Sequence, residues 1–298
     1  MENRKKIILV TGGAGFIGSH LIERLVTDQT NQVISLDNYF TGKKENHITG
    51  AEYREGHTKD IESLISEKPD VVYHLGEYSR VEKSFEDVAV VLDFNIVGTH
   101  RVLEFCRKKG SKIIYAGSST KFGDGGLGRD QSPYAWTKAT NSDLTRNYGE
   151  WFGLDYAITY FYNVYGGREI SAGAYSTIMG IFKEQYLAEK PLSVVSPGTQ
   201  RRNFTHIDDI VNGLLLVGEK GHGDEYGIGA TENYSILEIA EMFGNKIEML
   251  PERQGNRMES KLDIRRITQE LGWKATKKLT EYIEAIKLQK TNILHTKQ

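Results

Sequence analysis

A tyrosine four residues ahead of a lysine can work as a base. On a helix the two side chains share a face, and the ammonium favours the phenolate. Three pairs in the chain have this spacing: Tyr39 and Lys43, Tyr134 and Lys138, Tyr186 and Lys190. With 16 tyrosines present, chance supplies about one such pair, so spacing alone selects none of them. Position does. Tyr39 lies just past Asp37, and Tyr186 falls in a predicted helix of the second half, Ala174–Glu189. Only Tyr134 opens a predicted helix, Tyr134–Phe152, directly after a predicted strand, Lys112–Ala116, whose carboxyl end carries Ser118, Ser119 and Thr120. Tyr134 is the candidate base and Lys138 the cation beside it. Ser118 would hold a substrate hydroxyl by hydrogen bond, and Thr120 joins the same catalytic set.

A base that takes a hydroxyl proton needs a hydride acceptor, and the first sixty residues are built to hold one. A short apolar run, Ile7–Thr11, reads as a buried parallel strand. It runs into Gly12-Gly13-Ala14-Gly15-Phe16-Ile17-Gly18, then a helical stretch, a second strand at Gln32–Leu36, and Asp37. Gly12 permits the tight turn, Gly15 admits a pyrophosphate, and Gly18 lets the helix approach the sheet. The free N–H groups of Phe16, Ile17 and Gly18 face the phosphates. Asp37, 19 residues past Gly18, stands where a carboxylate bonds the ribose hydroxyls and repels a 2′-phosphate. The implied cofactor is NAD rather than NADP, and its positive ring would favour the Tyr134 phenolate further.

Strands at Val71–Leu75 and Lys112–Ala116 and helices at Val88–Lys109 and Tyr134–Phe152 continue the alternation. The expected fold class is α/β: a Rossmann-type doubly wound parallel sheet with a smaller α/β C-terminal substrate lobe. A net charge of −2 gives no reason to expect a nucleic-acid partner. The apolar run at Ile7–Val10 is too short for a signal peptide or membrane span, and the single cysteine, Cys106, cannot form an internal disulfide. A cytoplasmic protein without membrane contact is expected. The eight histidines are scattered, and no metal site is expected.

Ten pieces occur in one order: Thr11 to Gly18, Asp37-Asn38, Asp60-Ile61, His74-Leu75-Gly76, Asn95 to Thr99, Ser118-Ser119-Thr120, Tyr134 with Lys138, Tyr162 to Gly166, Arg202-Asn203-Phe204 and Leu271-Gly272-Trp273. Together they resemble the extended short-chain dehydrogenase/reductase superfamily, in particular its NAD-dependent nucleotide-sugar epimerases and dehydratases, over nearly the whole chain. The resemblance implies further roles. Asp60 and Ile61 are the expected adenine contacts, Thr41 and Gly42 cover the adenosine ribose, and Asn38, Leu75 and Gly76 line the cofactor. Asn95 would bond near the lysine and order the site. Asn163, Arg202 and Arg257 would hold the substrate diphosphate. It also implies an NAD-binding domain over 1–165, with 204–229 returning to it, and a substrate lobe of 166–203 and 230–298. A homodimer built on helices 88–109 and 134–152 is expected.

Departures from the pattern narrow the reaction. Dehydratases of this kind place an acid just after the catalytic hydroxyl residue, where this chain has Ser119 and Thr120. C3/C5 epimerases place a cysteine near Thr120, and it is absent. Oxidation at C4 of a nucleotide-linked sugar remains, as a 4-epimerase or a 4-dehydrogenase in surface-glycan precursor synthesis. A 4,6-dehydratase and a non-catalytic NAD-sensing protein are the alternatives. The stretch His74-Leu75-Gly76 with Ser79, Val81 and Ser84-Phe85-Glu86 resembles GDP-mannose 4,6-dehydratases more than UDP-glucose epimerases, which implies a GDP-linked sugar ahead of a UDP-linked one. The segment from Ser118 to Tyr134 is short and glycine-rich at 123–128, so an open roof over the site is expected. Lys121 stands where an apolar residue is usual and receives no role. Glu77 stands where a small residue is usual and is expected to be a harmless change.

Overall fold

The structure, a computed structural model, describes residues 4–252 and 261–295. Its first half runs β1 (Lys6–Thr11), α1 (Phe16–Leu25), β2 (Asn31–Asp37), β3 (Ala51–Glu55), α2 (Ile61–Leu64), β4 (Val71–His74), α3 (Val88–Val91), α4 (Gly98–Lys109), β5 (Lys112–Ser118), α5 (Pro133–Phe152) and β6 (Tyr156–Phe161). The second half adds β7 (Val164–Tyr165), α6 (Ile178–Leu187), β8 (Leu192–Val195), β9 (Arg201–Asn203), β10 (Thr205–His206), α7 (Ile207–Lys220), β11 (Gly223–Ile228), β12 (Asn233–Ser235), α8 (Ile236–Phe243), β13 (Ile247–Leu250), α9 (Arg265–Leu271) and α10 (Leu279–His295).

Seven parallel strands form one sheet in the order β3-β2-β1-β4-β5-β6-β11. The chain leaves β1 outward through β2 and β3, then crosses back to β4 and proceeds the other way. A crevice opens where the direction reverses, beyond the carboxyl ends of β1 and β4, where Thr11 pairs with His74. Alternate residues of β1 feed two cores. Ile8 and Val10 pack with Leu21, Ile22, Ile210 and Leu214 on one face. Leu9 packs with Ile34, Leu36, Val102 and Phe105 on the other. Cys106 is fully buried in this second core, where it packs, and burial raises its thiol above the ordinary range. A third core gathers Tyr165, Phe182, Leu192, Ile239, Phe243 and Ile283 around the smaller sheets. Ile267 and Trp273 return to the first core, and the Trp273 indole donates to the Asp209 carbonyl at 3.1 Å.

Two helices differ from the sequence expectation. The stretch 88–109 is not a uniform α-helix: a π-helical turn, Leu92–Val97, separates α3 from α4. The wider turn rotates the helix face, and Asn95 on it is fully buried. Helix α6 begins at Ile178 rather than Ala174, because the Thr177 hydroxyl accepts the Gly180 N–H at 3.0 Å and caps it. Among the described residues no helix is long and apolar enough to cross a membrane.

The crevice depends on bare backbone. A Cβ on Gly18 would lie 2.1 Å from the Gly12 carbonyl oxygen, with no flexible side chain to give way. We therefore expect Gly18→Ala to lower unfolding stability by about 1–3 kcal/mol, read as a reduced urea midpoint, and to weaken NAD binding in a calorimetric titration.

Candidate active site

The crevice is a cleft of about 590 Å³, within the range of small-ligand sites. Its floor is the turn between β1 and α1. Gly12 has φ of +73°, and a Cβ there would meet Gly76 at 2.9 Å, so the ends of β1 and β4 touch backbone to backbone. Gly15, Phe16, Ile17 and Gly18 line the floor, and Gly15 starts α1 without a side-chain cap, so its first N–H groups face the cleft. Asp37, at the end of β2, accepts the N–H of Ala14 at 2.9 Å and of Tyr39 at 2.8 Å. Burial raises its carboxyl above the usual range, and the two backbone donors oppose that. Asn38, Thr41 and Gly42 continue the wall, and a Cβ on Gly42 would crowd the Asp37 oxygens. A glycine cradle, a helix N-terminus and a hydrogen-bonded acid in this order fit a dinucleotide.

At the other end stand Ser118 from the end of β5 and Tyr134 and Lys138 from the start of α5. Ser132 caps α5 through the Ala135 N–H at 3.1 Å, with Pro133 in the first turn, which fixes where the tyrosine begins its helix. The Ser118 hydroxyl oxygen accepts the Thr120 hydroxyl at 2.9 Å and the Thr120 N–H at 3.3 Å, so its own proton is free to meet a substrate oxygen. Lys138 donates to the Ala116 carbonyl and to the Glu77 carboxylate. Leu75, Gly76, Asn163 and Arg202 complete the predicted residues on the cleft wall. Asn163 adopts φ of +33° and donates its amide to the Asn203 carbonyl at 3.0 Å.

Several expectations place residues elsewhere. Asp60 is exposed at the start of α2, and Ile61 is wholly buried against Leu9, Ile34 and Leu36. Neither reaches the cleft, whose wall there is made by Gly56, His57 and Thr58, because the chain turns into the core one step later. Asn95 is not on the cleft wall but behind it, accepting the Tyr78 N–H at 2.7 Å and donating to Thr137 on α5 at 2.9 Å. Arg257 lies outside the described residues. Lys121 turns away from the cleft and donates to the Tyr160 hydroxyl at 2.7 Å, beside Asp224. The 123–128 segment folds as short 3-10 turns in which Gly125 and Gly126 take positive φ and Gly128 packs against the Thr120 carbonyl. Glu77 corrects the expectation of a harmless change: its side chain is 2% exposed and ion-paired to Lys138. Arg80 was missed, because nothing in the local pattern shows that its loop folds over the cleft. It lines the wall and donates to the carbonyls of Tyr175 and Ser79. Among the described residues no acid, histidine and cysteine cluster could hold a metal ion.

Fold and site together define an NAD-binding α/β enzyme of the short-chain dehydrogenase type. Comparison with known proteins agrees. Residues 8–229 match the model of the NAD dependent epimerase/dehydratase family, and the chain belongs to that family. It is 31% identical to a putative UDP-glucose 4-epimerase of Methanocaldococcus jannaschii, over 94% of this chain and 97% of that one. It is 30% identical to UDP-glucuronic acid decarboxylase 6 of Arabidopsis thaliana, over 92% of this chain and 85% of that one. Among solved structures, UDP-glucuronic acid 4-epimerase of Bacillus cereus, in complex with UDP-4-deoxy-4-fluoro-glucuronic acid and NAD, superposes with a TM-score of 0.86 at 28% identity, covering 96% of this chain and 99% of that one.

Removing the Asp37 carboxylate would take away the charged hydrogen bonds it is expected to offer the ribose of a bound NAD. Asp37→Ala is expected to weaken NAD binding by about 1–3 kcal/mol, measured by calorimetry on apo protein; unchanged affinity would show that the ribose binds elsewhere.

Proposed function

We propose that the protein oxidises C4 of the sugar in a nucleotide-activated sugar, with Tyr134 as the base. The observation that carries this reading is that the dinucleotide cradle and the Ser118, Tyr134 and Lys138 set line one cleft. Ser118 holds the C4 hydroxyl, Tyr134 takes its proton, and the C4–H bond breaks as its electron pair leaves with hydrogen, leaving a C4 ketone. NAD, when bound, accepts that hydride. Lys138 orders the base, and Asn163, Arg202 and Arg257 are the groups that would bind the diphosphate through amide and forked guanidinium donors.

Ser119 and Thr120 supply only hydroxyls where a 4,6-dehydration needs a carboxylate to move the C5 proton, which weighs against that outcome. A return of hydride to the opposite face would make a 4-epimerase, and release of the ketone a dehydrogenase. The relatives add a third outcome. A 4-keto sugar carrying a carboxyl on C5 is a β-keto acid. The C5–carboxyl bond breaks to release CO2, its electron pair forms the C4 enolate, and C5 takes a proton from water. Return of the hydride to C4 would give the pentose. Arg80 favours such a carboxylated sugar. It lies within electrostatic reach of Tyr134 and, among the described residues, makes no direct ion pair with a carboxylate, Glu169 acting on it at longer range. The relatives named for UDP-sugars support UDP as the nucleotide, against the GDP preference suggested by residues 79–86. A homodimer is also part of this reading. Helices α3 to α5 expose Val88, Val97 and Trp136, and the intact protein is expected to sediment as a dimer.

The test is NADH absorbance and product analysis after mixing NAD-loaded protein with neutral and carboxylated GDP- and UDP-sugars. Sugar conversion with little standing NADH is expected for the epimerase, a stoichiometric lasting NADH signal for the dehydrogenase, and CO2 with a pentose product for the decarboxylase. Tyr134→Phe should lower oxidation by a factor of roughly 10²–10⁴ while NAD stays bound. Full activity in that variant would remove Tyr134 as the base.

A further inference from the structure

Behind Lys138 lies a buried polar network in which four donors meet one carboxylate. Glu77 Oε1 accepts the Thr99 hydroxyl at 2.9 Å, the Asn141 amide at 2.9 Å and the Tyr115 hydroxyl at 3.2 Å. Glu77 Oε2 accepts the Lys138 ammonium. The direction of each bond can be assigned. Thr99 spends its proton on Glu77, so its oxygen accepts from His74 Nε2 at 2.9 Å. His74 Nδ1 then accepts the Thr11 hydroxyl at 2.7 Å, and the Thr11 oxygen accepts the Gly76 N–H at 3.0 Å. Burial holds His74 down to about 4, so it is neutral and can serve as donor at one nitrogen and acceptor at the other. Every proton in this chain points towards Glu77, which is the arrangement an ionised carboxylate requires.

We infer that Glu77 is a positioning residue of the reaction: its buried carboxylate anchors the Lys138 ammonium and balances its charge beside Tyr134. The inference rests on the reading of Tyr134 as the base. Two hydrogens of the ammonium are committed, to Glu77 and to the Ala116 carbonyl, which leaves one to face the cleft. The anchor thus fixes where the lysine points. It also sets its electrostatic effect, because a cation paired with an anion favours a nearby phenolate less than a lone cation does. The charged and titratable groups around the pair are Lys138 and Tyr134 on α5, His74 on β4, Tyr115 on β5 and Arg80 in the loop after β4. Among the described residues Glu77 is the one carboxylate paired with the Lys138 ammonium, while Glu169 lies within electrostatic reach of Arg80, so removing the Glu77 charge makes the surroundings of Tyr134 more positive by one.

The test is an ultraviolet phenolate titration of the NAD-loaded protein, taken as the difference between each form and the same form carrying Tyr134→Phe. Glu77→Gln keeps the shape and removes the charge. The Tyr134-dependent signal is expected to appear about one pH unit or more lower than in the wild type, a tenfold change in the equilibrium. The pH profile of single-turnover sugar oxidation should move in the same direction. Glu77→Asp, which keeps the charge, should stay near the wild type. If Glu77→Gln does not fold, Glu77→Ala, with room for water beside the ammonium, gives the same reading. Equal midpoints in the folded Gln or Ala form and the wild type would overturn the inference and leave Glu77 a structural ion pair. Failure of the underlying reading shows separately, as sugar oxidation that survives Tyr134→Phe.

Discussion

The site depends on two strand ends being able to touch. Where the chain reverses direction across the sheet, Gly12 and Gly76 come within 3 Å of each other's prospective side-chain positions, and Gly18 presses on the Gly12 carbonyl. Any Cβ there would push α1 off the sheet or fill the crevice. Because these positions are bare, the N-terminus of α1 reaches the cleft floor with its N–H groups unspent. Asp37 is then close enough to close the wall by accepting the Ala14 N–H. The cofactor cradle is thus a consequence of steric permission at a topological switch, and the charge pattern is added to it.

The catalytic end is organised by the opposite principle, a layer of polar groups removed from water. Thr11, His74, Glu77, Asn95, Thr99, Tyr115, Lys138 and Asn141 come from β1, β4 and the loop after it, the helix 88–109 region, β5 and α5, and hold each other in one network. Buried charge is costly unless it is paired and its remaining lone pairs are met, and here Glu77 has four donors. Such a network tolerates one geometry, so it locks α5 in rotation as well as in place. That rotation is what points Tyr134 and the free side of Lys138 into the cleft.

If oxidation at C4 comes first, as proposed for this chain, the fate of the resulting ketone is what separates an epimerase from a decarboxylase. An epimerase needs the sugar to turn in place, whereas a decarboxylase needs a carboxyl next to the ketone and a pocket that accepts it. The turns from Ser119 to Asp130 and the loop carrying Arg80 line the cleft beside Tyr134, and a sugar held there would meet them first. The cofactor cradle and the base do not distinguish between these outcomes. This is why one scaffold serves several reactions.

The cofactor and the placing of Tyr134 beside Lys138 were legible in the sequence because both are encoded over short chain distances. A strand, a glycine turn, a helix and an acid succeed one another in order, and Tyr134 and Lys138 are neighbours on one helix face. The parallel sheet and its buried strands were readable from the same alternation. Only the tertiary structure could show that Glu77, 61 residues before Lys138, is that lysine's partner, or that Asn141 and Thr99 close the ring around it. It also put His57 and Thr58, rather than Asp60 and Ile61, on the wall of the cleft, and turned Asn95 inward through a π-helical turn. The physical reason is common to all of these. Periodicity and spacing report which side a residue faces, whereas convergence of polar side chains from separate elements depends on how those elements pack, which no local pattern records.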